Sequence, residues 1–168
     1  MNINKQLLKE ALELVNDWDF SLTKRKLQEK QYGGWSKERA ERAEVNYKRY
    51  LALVKATDGY QFVPNEDIDQ FWHEHILDTR RYCADCFTLF GGFLHHYPFF
   101  SMNGESDYEN WIQASNLSNE KWAEIFGEDL YDHCDNSVPV NAQKCPQRCP
   151  GKDFKAIDKF YYGSESFR

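Results

Sequence analysis

NEDIDQFWHEHILDT, residues 65–79, sets two histidines one residue apart and can be read on either of two backbones. On a strand, with its period of two, His73 and His75 would point the same way and offer one metal ion an H-x-H pair. On a helix each residue turns by about 100°, so residues two apart diverge. The start signals decide for the helix. Asn65 is a suitable N-cap, and Glu66, Asp67 and Asp69 put negative charge on the first turn, where the helix dipole favours it. Ile68, Phe71, Trp72, His75 and Ile76 then fall on one side.

The segments on either side read at the same period. Upstream, Leu7, Leu8, Ala11, Leu14 and Val15 predict a first helix over 3–17. Ser21 is expected to cap a short second helix that Gly33-Gly34 ends. SKERAERAEVNYKRYLALVKATDG, residues 36–59, is the clearest helix. Ala43, Tyr47, Tyr50, Leu51 and Val54 form its apolar stripe, Ser36 starts it and Asp58-Gly59 closes it. Downstream, Asp78 can cap TRRYCADCFTLF, with Tyr82, Cys86, Leu89 and Phe90 inward. Gly91-Gly92 interrupts, and FLHHYPFFSMNGE reads as an aromatic-rich turn or long loop. SDYENWIQA and SNEKWAEIF predict two more helices, the second capped by Ser118 and stopped by Gly127. No strand pattern of any length and no internal repeat occurs. The fold is expected to be all-α: one compact multi-helix domain over residues 1–130, then a polar tail over 131–168. That tail contains Cys134, Cys145 and Cys149 and three of the five prolines, and its composition predicts poor order.

Composition narrows the function. A chain of 168 residues can bury a sizeable core, and 12 Phe, 10 Tyr and 5 Trp supply large apolar rings for it. Charged residues make up 29% and mean hydropathy is −0.79, which predicts a soluble protein. A net charge of −6 argues against a nucleic-acid binder, which usually shows a basic face; the single basic run, Lys24-Arg25-Lys26, has Glu29 just beyond it. No apolar run approaches the ~20 residues of a membrane span. The first seventeen residues carry acidic side chains through their apolar part and do not read as a signal peptide. A cytoplasmic protein with reduced cysteines is the expectation.

Chemistry concentrates at the histidines. His75 is the inward member of its pair, whereas His73 lies at the edge of the apolar face, one turn beyond Asp69. That spacing suits a carboxylate orienting a metal-bound imidazole. His95 and His96 are adjacent and must also diverge. A site would therefore take one histidine from each pair, with Asp69, Asp78, Asp85 or Cys86 as the nearest further ligand and Trp72 and Tyr82 as its wall. Two histidines and a carboxylate with open positions suit Fe(II), whereas cysteine in the set suits Zn. The competing reading makes the histidines hydrogen-bonded core residues among aromatic rings. Cys83-Ala-Asp-Cys86 has C-x-x-C spacing but lies on a predicted helix without a βαβ context, so Cys86 reads as core and Cys83 as a surface or half-buried thiol. Cys134, beside His133, with Cys145 and Cys149 could bind a soft metal ion or oxidise. HExxH, GxSxG, GxGxxG and P-loop motifs are absent.

The run VPNEDIDQFWHEHILDTRRYCADCFTLFGGFLHHYPFF, residues 63–100, resembles the glycine-rich domain-containing protein-like family. The matching positions are Pro64, Asp69, Trp72, His73, His75, Asp78, Tyr82, Asp85, Cys86, Gly91, His95, His96 and Pro98. The resemblance implies that the histidines form a site and supplies no reaction. The chain departs from that family in having only 9 scattered glycines and no glycine-rich region. Two functions are expected to compete. One is a metal-binding protein holding Zn or Fe, and with it a metal-dependent enzyme acting on a peptide or small molecule. The other is a non-catalytic helical interaction module with a protein or peptide partner and structural histidines.

Overall fold

The computed structural model describes residues 2–60 and 62–131. They form six α-helices: α1 (Lys5–Asn16), α2 (Ser21–Gln28), α3 (Lys37–Ala56), α4 (Glu66–Leu77), α5 (Thr79–Phe90) and α6 (Glu105–Phe126), with a 3-10 turn at Lys30–Tyr32. No sheet occurs among the described residues. The all-α expectation stands. The expectation of a poorly ordered Cys-containing tail, with Cys134, Cys145 and Cys149, lies outside the described residues.

α3 is the central helix, packed on α1, α2 and α4. Its stripe widens after Tyr47, so that Tyr50, Leu51, Ala52, Leu53 and Val54 are buried in succession. A helix buried around most of its circumference needs neighbours on several sides. Phe20, Tyr47 and Phe71 meet at centroid distances of 5.4–5.7 Å where α2, α3 and α4 converge. The edge-on and tilted ring geometries suit their quadrupoles. α6 sends Trp122 into the main core, whereas Trp111 joins a smaller cluster with Val63 and Phe100.

Caps decide the boundaries that matter for α4 and α5. Asn65 Oδ1 accepts from the Ile68 amide at 2.9 Å, and Asn65 Nδ2 donates to the Leu130 carbonyl at 2.7 Å. One buried side chain therefore starts α4 and ties down the chain beyond α6. Tyr131 is held as well, its hydroxyl donating to the Val63 carbonyl at 3.1 Å. Asp78 caps α5, and Gly91 ends it in the left-handed region at φ 74°, a conformation without penalty for glycine.

Two expectations need correction. Ser21 is the first residue of α2 rather than its cap; Phe20 holds the cap position without a side-chain bond, and Asp19 accepts from the Ser21 amide at 2.9 Å. The two helices expected after residue 105 are one, because Ser118 does not interrupt it. Its hydroxyl bonds back to the Ala114 carbonyl at 2.7 Å and accepts the Val63 amide at 2.8 Å. A serine satisfied in this way sits inside a helix without breaking it.

Candidate metal centre

α4 carries the first two residues of the centre. Asp69 and His73 lie four apart on one face, and His73 Nδ1 stands 3.5 Å from Asp69 Oδ2. The third residue comes from the irregular segment after α5. Gly91 turns the chain, Leu94 inserts into the core, and His96 arrives with Nε2 2.8 Å from Asp69 Oδ1. The imidazoles of His73 and His96 face one another at a centroid distance of 4.6 Å. Trp72 stands edge-on to His96, also at 4.6 Å.

The arrangement has the donor set of a two-histidine, one-carboxylate site. One ligand atom from each of Asp69, His73 and His96 can be chosen so that all three lie within 4.8 Å of one another. With metal–ligand bonds of about 2.0–2.2 Å, neighbouring ligand atoms sit roughly 3.0–3.5 Å apart. Asp69 Oδ2 stands 3.5 Å from His73 and Oδ1 2.8 Å from His96, so each carboxylate oxygen faces one imidazole at about that spacing. His73 forms the accessible edge of the group, its side chain 45% exposed. Asp69 and His96 form the buried floor, with side chains 3% and 6% exposed. Among the described residues no lysine or arginine pairs with Asp69, so its buried charge faces only imidazoles. Burial pushes the His73 imidazole below its ordinary value, the Asp69 charge opposes this, and His96 adds to the lowering. A neutral imidazole has the free lone pair that a metal needs.

The divergence expected of His73 and His75 is present. His75, 2% exposed, points the other way from His73, into the ring cluster of Phe20, Tyr47 and Tyr82. Its Nε2 lies 3.1 Å from Asp85 Oδ2 and its Nδ1 lies 2.9 Å from the Tyr47 hydroxyl. A carboxylate only accepts, so Nε2 carries the proton and Nδ1 accepts from Tyr47. Burial lowers His75 to about 4 against the opposing pull of Asp85, leaving it neutral near pH 7. His75 is a satisfied core residue.

The other expected ligands lie outside this cluster. His95 packs on Phe93 at 5.1 Å, Asp78 is the α5 cap, and Cys86 is a buried free thiol raised by that burial. Cys83 is exposed, which fits the packing reading of the C-x-x-C spacing. Trp72 touches His96, whereas Tyr82 stands behind Trp72 and accepts from its indole N–H at 2.9 Å. The thiols Cys134, Cys145 and Cys149 lie outside the described residues. Reasoning from sequence missed Tyr47 as the partner of His75. It sits on the apolar stripe of α3, and the only sign available was a hydroxyl there that burial would oblige to find an acceptor.

Among the described residues no helix is long and apolar enough to cross a membrane. No curated protein and no solved structure matches the chain. A family model does, over residues 10–123, which take in α4, α5 and all three residues of the centre. Its description, UCP032817-like, overturns the resemblance to the glycine-rich domain-containing protein-like family, to which nothing in the match points. That resemblance rested on residues 63–100 alone, with their four histidines, whereas the family match extends well beyond that run on both sides. The chain belongs to the UCP032817-like family.

Proposed function

We propose that the protein binds one divalent transition-metal ion, zinc or iron, through Asp69, His73 and His96. The observation that carries this reading is the buried Asp69 carboxylate with two imidazoles at its two oxygens and, among the described residues, no lysine or arginine paired with it. A buried carboxylate without a full positive partner is costly, and a metal ion supplies that charge. Three protein ligands leave positions for water or substrate, as in catalytic zinc and non-haem iron sites. The exposed edge at His73 gives a peptide or small molecule access to those positions, so a metal-assisted reaction belongs to the same reading.

Protein purified without a histidine tag, stripped with EDTA and titrated with Zn(II) or, anaerobically, Fe(II) tests it. About one ion per chain is expected for the native protein and for His95→Ala, and none for Asp69→Asn or His96→Ala. Absence of binding in the native protein would sink the reading. The outcome would favour a helical interaction module, for which the exposed Phe87, Phe99 and Met102 are the supporting observation.

A further inference from the structure

His96 is the one residue of the centre that no helix carries, so something else must hold its backbone. The chain leading to it passes through Leu94, whose carbonyl is taken by a side chain, the Tyr82 hydroxyl. The Tyr82 hydroxyl oxygen also accepts the indole N–H of Trp72 at 2.9 Å. Trp72 in turn presses its edge against the His96 ring. The Leu94 amide meets the Cys86 thiol and lowers its pKa, against the larger effect of burial. Tyr82, Trp72 and Leu94 are all buried, so water does not compete for these bonds.

We propose that Tyr82 is a positioning residue for His96. A single buried hydroxyl holds both the backbone entering His96 and the indole against which its ring rests. The phenol spans α5 to the 91–96 segment and, through Trp72, back to α4, so it sets His96 against Asp69 at the 2.8 Å separation observed. The role rests on the metal-binding reading for its purpose, but the placement of His96 can be measured without any metal. Outer partners that hold a ligand in place typically change metal affinity by about 10–100-fold when removed.

Tyr82→Phe keeps the ring and deletes the hydroxyl. In the metal-free protein, imidazole 1H–15N NMR should show a protected His96 Nε2–H in the native chain and its loss or marked shift in Tyr82→Phe. In the metal-loaded protein, Zn(II) affinity by chelator competition should fall about 10-fold, with a changed Co(II) absorption spectrum. Leu53→Ala, which opens the α3 core, is the control for lowered stability alone; it should leave both the His96 signal and the Zn(II) affinity at native values. An unchanged His96 signal and unchanged affinity in Tyr82→Phe would overturn the proposal while leaving the metal reading intact. Equal losses in Leu53→Ala would overturn it too, by showing a general effect of stability. If the native protein binds no Zn(II) or Co(II), the metal reading fails, and the metal-free His96 signal alone supports or overturns the positioning role.

Discussion

Asp69 on α4 and His96 in the segment after α5 meet at 2.8 Å, although 27 residues separate them in the chain. Their side chains are only 3% and 6% exposed, and the contact joins the start of one helix to a loop that leaves another. It makes the centre sensitive to a change of charge without a change of shape. Asp69→Asn retains an oxygen that can accept from His96, so the fold should lose only about 1–2 kcal/mol by urea denaturation. Metal binding should be lost, because a neutral amide oxygen is a poor ligand for zinc or iron. Retention of native stoichiometry in Asp69→Asn would remove the carboxylate from the ligand set.

His73 and His75 should separate cleanly on mutation. His75→Ala strands the buried Tyr47 hydroxyl and leaves a cavity between Phe20 and Tyr82. The cost should be about 3 kcal/mol, seen as a lower melting temperature. His73 is at the rim, so His73→Ala should cost less than about 1 kcal/mol while abolishing metal uptake. Equal stability in the two variants, with metal lost from both, would contradict the geometry described.

Stability should depend on pH through His75. Above pH 6.5 its imidazole is neutral in the folded and unfolded chain alike, and its contribution is complete. Below that value the unfolded chain takes up the proton first, because burial holds the folded imidazole to about 4. Stability attributable to His75 therefore falls as pH drops from 6.5 towards 4, by on the order of 3 kcal/mol in full. Urea denaturation at several pH values, comparing native protein with His75→Gln, isolates this part. Parallel profiles for the two would rule it out.

Asn65 couples α4 to the chain after α6 through one side chain. Asn65→Ala removes the cap of Ile68 and the donor to Leu130 together, and should cost about 2 kcal/mol. Asn65→Asp keeps the cap but presents an acceptor to the Leu130 carbonyl. Amide exchange should then speed up around residues 130–131 while Ile68 stays protected. Equal protection of both regions in Asn65→Asp would show that the Leu130 bond is dispensable.

The six-helix architecture was largely legible because its signals are local. The 3.6-residue spacing of Tyr47, Tyr50, Leu51 and Val54, the caps Ser36, Asn65 and Asp78 and the stop at Gly127 each act within a turn or two of chain. The same locality separated His73 from His75, since about 100° per residue allows no other outcome on a helix. Ser118 defeated a local reading, because its hydroxyl is satisfied by Ala114 and Val63 instead of opening a new helix. The choice between His95 and His96 was not legible either. Adjacent residues in an irregular segment diverge, but nothing near them in sequence says which one faces α4. That is decided by Leu94 entering the core and by its carbonyl meeting Tyr82. Helical periodicity thus determined the frame and the face on which Asp69 and His73 stand. Long-range packing and the need to satisfy buried polar groups decided which histidine completes the cluster and which, with Tyr47 and Asp85, belongs to the core.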